Sequence, residues 1–231
     1  MIVNFVMLFH GRPTLLKQSL ESIGDTSGII FTLHGEDPQP EALTVARDFM
    51  RENDGCLSAT GENRGTGLAR NAAIDIASSV RGDFLYLSDD DVFFLRPDWL
   101  AVLTQMFEEV EQYGFAALGA YNHPYNGPVT IFPPVIDNKY MVGEVYALAT
   151  QSMLLRWETF YRFGPFCQTP PGRVCQSEDV EFSNKIRAAG LKVGTMIPPL
   201  LANTGITNSC GDKIPGWELV KSQCPEGVIC E

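Results

Sequence analysis

Apolar residues dominate Ile2-Val3-Asn4-Phe5-Val6-Met7-Leu8-Phe9, and a run of that length between polar flanks predicts a strand buried on both faces. The period then changes. Pro13 opens a segment in which Leu16, Leu20 and Ile23 recur at helical spacing before Gly24, the signature of an amphipathic helix started by proline and stopped by glycine. The same alternation repeats. Ile29 to Leu33 predicts a strand ending in the turn His34-Gly35-Glu36-Asp37-Pro38, and Ala42, Val45, Ala46 and Phe49 carry a helical stripe. Cys56 to Ala59 predicts a third strand, Leu68 to Ser78 a helix, Phe84 to Leu87 a fourth strand, and 97–110 a helix. Strands separated by helical crossovers predict an α/β fold, a Rossmann-like domain with a mostly parallel central sheet flanked by helices.

The second half is less regular. From Tyr121 to Val142 the chain carries Pro124, Gly127, Pro128, Pro133 and Pro134 among aromatic residues, which suits a shaped loop or lid over a cleft. Helical pattern returns from Leu154 to Phe163 and from Glu178 to Ala189, with Gly190 as a stop. The tail beyond Asn203 lacks a long period and is expected to wrap the domain.

Composition narrows the classes. With 231 residues, 45% hydrophobic and 19% charged, the chain is an ordinary globular protein rather than a disordered or coiled-coil one. Lys and Arg number 17 against 28 Asp and Glu, a formal net charge of −11, which disfavours generic nucleic-acid binding unless a local basic patch or a metal intervenes. The apolar start lacks a basic leader and a small-residue cleavage site, and no apolar run reaches the ~18 residues of a membrane helix. The chain is therefore expected to be cytoplasmic. Its six cysteines, Cys56, Cys167, Cys175, Cys210, Cys224 and Cys230, are read first as free thiols in a reducing compartment. The alternative is a Cys167–Cys175 clip with a pair among the last three.

The sharpest chemistry is in Leu87-Ser88-Asp89-Asp90-Asp91-Val92. A buried strand that ends in three carboxylates sets them at the carboxyl edge of the sheet, where open α/β folds bind ligands. Crowded carboxylates suit a hard divalent cation such as Mg²⁺ or Mn²⁺, held together with substrate phosphates. The plain alternative is an acidic turn complementing the dipole of the next helix. In Asn63-Arg64-Gly65-Thr66-Gly67-Leu68-Ala69-Arg70-Asn71, Arg70 replaces the third glycine of a dinucleotide fingerprint, so NAD binding is disfavoured. Arg64 or Arg70 instead suits a diphosphate, because a guanidinium meets phosphate oxygens in pairs; otherwise both are surface arginines.

Four segments in order, His10-Gly11-Arg12-Pro13, Asn63 to Asn71, Leu87 to Val92 and Ser177-Glu178-Asp179-Val180-Glu181-Phe182, together resemble a family 2-type glycosyltransferase with the GT-A fold, the nucleotide-diphospho-sugar transferase architecture. The resemblance spans most of residues 1–195. It implies one GT-A domain over 1–231, with a nucleotide-sugar-binding half at 1–115 and an acceptor-binding half and C-terminal wrap at 116–231. It further implies a hexosyltransferase-like enzyme that moves a sugar from a nucleotide-diphosphate donor to an acceptor hydroxyl with inversion, assisted by Mn²⁺ or Mg²⁺. In that pattern Asp91 with Asp89 form the D-x-D metal acids. The alternative register, with the first acid at Ser88, makes Asp90 the metal acid. Asp89, Asp90, Arg64, Arg70, Glu36 and Asp37 are the donor-binding candidates. The Glu178-Asp179 pair supplies the catalytic base, Asp179.

The chain departs from the family at the end of the second strand, where Glu36 or Asp37 stands for an Asp-rich base-binding turn. It also places its histidines at His10, His34 and His123, none in the tail. Two other readings compete. A nucleotidyltransferase shares the acids but calls for a Gly-rich basic loop after the first strand, where this chain has one glycine and one arginine. A non-catalytic nucleotide- or carbohydrate-binding module is at odds with the retained acids. The acceptor, whether glycan, lipid-linked, protein or modified nucleic acid, is not written in the sequence.

Overall fold

A computed structural model describes residues 1–121, 130–131, 139–167, 178–205 and 226–229. Its first half follows the alternating pattern: β1 (Val3–Phe9), α1 (Pro13–Ser22), β2 (Ile29–Glu36), α2 (Pro40–Met50), β3 (Gly55–Thr60), α3 (Thr66–Ala77) and β4 (Phe84–Asp89). A short β5 (Val92–Phe94) leads into α4 (Trp99–Glu111), followed by β6 (Phe115–Gly119), β7 (Thr130–Ile131), β8 (Met141–Glu144) and β9 (Ser152–Arg156). The described remainder holds α5 (Trp157–Phe163), α6 (Glu178–Ala188), β10 (Lys192–Ile197) and β11 (Leu201–Asn203).

Nine strands form one sheet in the order β3-β2-β1-β4-β9-β6-β10-β8-β7, and β11 pairs with β5 in a separate ribbon. The β3-β2-β1-β4 block and the β6-β10 pair are parallel, while β9 runs against both β4 and β6 and β8 runs against β10. Only β8 and β9 oppose the common direction, as expected of a mostly parallel α/β sheet. The period of two sorts the core. Val3, Phe5, Met7 and Phe9 join Phe84 and Tyr86 beneath α1, α2 and α4, while Val6, Leu85 and Leu87 join Ala73, Ile74, Phe163, Phe182 and Ile186 beneath α3, α5 and α6. Burial on both faces is why these strands read as unbroken apolar runs. Asn4, the polar exception in β1, is satisfied: it donates to the Val80 carbonyl at 2.8 Å and accepts from the Gly82 amide at 2.6 Å and Trp157 Nε1 at 3.0 Å.

Three expectations need correction. The segment from Leu154 begins as strand, and helix starts only at Trp157. Buried on both sides between β4 and β6, β9 has no polar face to betray its period. Strand β2 continues through His34 to Glu36, because β3 gives it a partner as far as Thr60. The 121–142 segment contains strand at 130–131, which pairs with the end of β8 at Gly143 and Glu144, and runs into the start of β8; its residues 122–129 and 132–138, and so the loop reading of them, lie outside the described residues. Cys56 is a thiol, and the alternative pairing of Cys167 involves Cys175, which is not described. Among the described residues no helix is long and apolar enough to cross a membrane.

Candidate active site at the carboxyl edge of the sheet

Register brings the chemistry to one edge. Leu8 lies opposite Asp89, Phe9 opposite Gly35 and Glu36 opposite Thr60, so β1, β2, β3 and β4 end together. Strand order reverses at β1, with α1 and α2 on one face and α3 on the other. That is the switch point where open α/β sheets form a ligand crevice.

The acidic run turns this corner. Asp90 and Asp91 link β4 to β5, and β11 holds the turn from outside through the Thr204 amide, which donates to the Asp91 carbonyl at 2.7 Å. Arg12, between β1 and α1, spans both acids. Its Nη1 donates to Asp91 Oδ2 at 2.9 Å and its Nη2 to Asp90 Oδ1. The His10 amide donates to Asp90 Oδ2 at 3.4 Å. Asp90 is almost wholly buried, and burial pushes its carboxyl and that of Asp91 upward, opposed by Arg12. The fit is close: a Cβ on Gly205 would stand 2.0 Å from Asp91 Oδ2 and 2.9 Å from Arg12 Nη1. Asp91 Oδ1 is buried and receives no hydrogen bond.

Asp89 points to a different arginine. Arg70, fully buried in α3, donates from Nη2 to Asp89 Oδ1 at 2.6 Å and from Nη1 to the Ser88 carbonyl at 3.4 Å. A buried guanidinium is held only by such charge-assisted partners. The first turn of α6 lies nearby, because Gly67 lets α3 approach: a Cβ there would stand 2.0 Å from the Cys167 carbonyl oxygen and 3.7 Å from Glu178 Cβ. Glu178 is buried. Asp179 is pushed up to about 6 by burial and by the neighbouring Glu178 charge, against the pull of Arg70. Its Oδ1 accepts from the Val180 amide at 2.7 Å. Ser177, the first residue of the Ser177-to-Phe182 segment, lies outside the described residues.

A third cluster closes the β2 side. Glu36 is buried and claimed by its own chain: Oε2 accepts from the Arg64 amide at 2.5 Å, and Oε1 accepts from Arg64 Nε and Nη2 at 3.1 and 2.8 Å and from Thr60 Oγ1 at 3.4 Å. Burial opposes ionisation of Glu36, but the Arg64 contacts prevail and hold it below the ordinary range. His34 stands 3.4 Å from the same oxygen and 2.7 Å from Ser58 Oγ, its imidazole lowered by burial. Glu36 is thus a support for Arg64. Asp37 is exposed at a positive φ of 46°, at the rim.

The seven predicted acids and two predicted arginines therefore gather at one edge, where Asp90 and Asp91 pair with Arg12, Asp89 with Arg70 and Glu36 with Arg64. The D-x-D pair does not act as a unit: Asp91 shares Arg12 with Asp90, and Asp89 pairs with Arg70. Among the described residues no group of three or more His, Cys, Asp or Glu is arranged to hold a metal. The buried oxygen of Asp91 suits a hard cation, but the facing oxygens are held by Arg12, so an ion fits between Asp90 and Asp91 only where Arg12 gives way. Arg12 itself was not among the residues singled out from sequence; its signal was its position directly after β1, at the edge to which β4 delivers the acids.

No family model and no curated protein matches the chain. Solved structures do. The mannosyltransferase PcManGT from Pyrobaculum calidifontis, in complex with GDP-Man and Mn²⁺, superposes with a TM-score of 0.62 at 15% identity, over 85% of this chain and 54% of its own. The S. aureus TarS 1–349 fragment superposes with a TM-score of 0.59 at 14% identity over 84% of this chain and 58% of its own, and its UDP-GlcNAc complex does so at 13% identity. The chain spans little more than half the length of these proteins. At such identity the likeness is one of architecture, and it agrees with the sheet order and the switch-point edge: the chain has the GT-A glycosyltransferase fold.

Proposed function

We propose that the protein is a glycosyltransferase that moves a hexose from a nucleoside-diphosphate donor to an acceptor hydroxyl with inversion. The observation that carries this reading is the gathering of Asp179, with its carboxyl raised to about 6, and the arginine-paired acids Asp89, Asp90 and Asp91 at the switch-point edge of a GT-A fold. The two kinds of group suit the two halves of the reaction. Asp179 takes the acceptor's proton on the Oδ2 oxygen as the hydroxyl attacks the anomeric carbon; its Oδ1 is steadied by the Val180 amide. A base with a pKa near the working pH is efficient in this role. Arg64, held by Glu36 and partly exposed, orients the diphosphate, while the buried Arg70 positions Asp89, with Asp37 at the rim toward the base. A divalent cation, Mn²⁺ or Mg²⁺, would be held by Asp91 with Asp90 or Asp89 once Arg12 gives way, and would neutralise the departing diphosphate. Residues 1–115 form the donor half and 116–231 the acceptor half.

A panel of UDP- and GDP-sugars tested for thermal stabilisation, with and without Mn²⁺, checks the reading, since a ligand specific to the native state raises the melting temperature by mass action. One nucleotide sugar is expected to stand out. Failure of every member to stabilise the protein overturns the proposal.

A further inference from the structure

Arg12 and a divalent cation have claims on the same oxygens. The guanidinium forks across Asp90 Oδ1 and Asp91 Oδ2, the His10 amide faces Asp90 Oδ2, and only the buried Asp91 Oδ1 is left without a donor. Nothing at the fork is slack. Gly205 closes over it so tightly that a methyl group there would overlap Asp91 Oδ2, and the Thr204 amide fixes the Asp91 backbone. A cation and the guanidinium therefore cannot both sit between the two carboxylates. The arginine alone has somewhere to go, because its side chain is a quarter exposed whereas those of Asp90 and Asp91 are 4% and 14% exposed.

We propose that Arg12 is a tethered competitor for the cation site, closing the Asp90–Asp91 pair in the ligand-free protein and setting the affinity for divalent metal by having to be displaced. The proposal rests on the glycosyl-transfer reading only in taking a cation as the expected visitor. Removing the guanidinium leaves two buried carboxylates without their counter-charge, a costly state that an ion relieves. Metal binding and arginine pairing are thus alternative ways of neutralising one acidic pair.

The test is a calorimetric titration with Mn²⁺ alone, with no nucleotide present, so that it stands apart from the identity of any donor. Arg12→Gln is expected to bind one Mn²⁺ about tenfold or more tighter than the wild type, the scale of one charge-assisted hydrogen bond no longer to be broken. Adding Asp91→Asn to that variant should abolish the gain. Arg12→Lys, which keeps one charge but cannot fork, should fall between. If Arg12→Gln does not fold in the absence of metal, Mn²⁺ must restore its cooperative melting. Equal affinities for Mn²⁺, a gain that survives Asp91→Asn, or a variant that stays unfolded in saturating Mn²⁺ would each overturn the proposal.

Discussion

Asp179 carries two consequences that separate a base from a helix-capping charge. A carboxylate in a first helical turn that merely meets the dipole contributes ~0.3–1 kcal/mol and leaves turnover alone. Loss of a general base lowers the rate by roughly 10²–10⁴. Asp179→Asn is accordingly expected to retain nucleotide binding while transfer falls by that factor. Transfer by the wild type should rise with pH through about 6, because the base works only when ionised. Stability moves the opposite way. The folded-state value lies above the ordinary 3.8, so ionising Asp179 costs the native state free energy that is absent below pH 3.8, grows up to about 6 and stays constant beyond. Asp179→Asn should therefore raise the melting temperature at pH 8 and not at pH 3.5. A variant that transfers sugar normally, or one whose melting temperature is unchanged at pH 8, would return the residue to a structural role.

At the scale of elements, the site depends on how closely α3 meets the backbone at Cys167 and, behind it, the start of α6. Gly67 sits where a Cβ would overlap the Cys167 backbone oxygen at 2.0 Å, an atom that a side-chain rotation cannot move aside. Gly67→Ala should cost about 1–3 kcal/mol through overpacking and should lower transfer more than Arg64→Ala lowers it, since it displaces Arg70 and Asp179 from each other. Chemical denaturation and initial rates on the two variants decide the matter. This contact was invisible in the sequence, where Gly67 reads as one more glycine of a loop. β1, β2 and β4 were legible because each is an apolar run, and the half-exposed β3 was legible from its place between two helical patterns. β9 was not, because Met153, Leu154 and Leu155 form a short apolar run with a single Arg156 before Trp157, a pattern that serves a buried strand and a buried helix equally. The acids at 89–91 were legible as a site, yet their division between Arg12 and Arg70 was not, because strand register alone decides which carboxylate faces which helix. Glu36 shows the same limit: its type suggested contact with a base, and only the tertiary arrangement turns it inward to Arg64.

The whole molecule sets the electrostatic problem that this site must solve. The chain carries a net charge of −11, and the edge itself gathers Asp89, Asp90, Asp91, Glu36, Glu178 and Asp179 against Arg12, Arg64 and Arg70. A nucleoside diphosphate approaching without a cation meets repulsion at long range and a negative balance at short range. This inverts the usual salt response. At a basic phosphate-binding site added salt screens attraction and weakens binding, whereas here it screens repulsion, which at about 0.1 M salt fades beyond ~10 Å. Binding of GDP or UDP in the presence of a chelator is therefore expected to strengthen as NaCl rises from low ionic strength to about 0.15 M, the concentration at which the screening length is ~8 Å. With Mn²⁺ present the incoming complex is closer to neutral, and the dependence should flatten. Fluorescence or calorimetric titrations across the salt series, with and without Mn²⁺, measure both slopes. A steady loss of nucleotide affinity with salt in the chelator series would mean that the three arginines outweigh the six acids where the diphosphate sits, and that the overall negative charge plays no part in recognition.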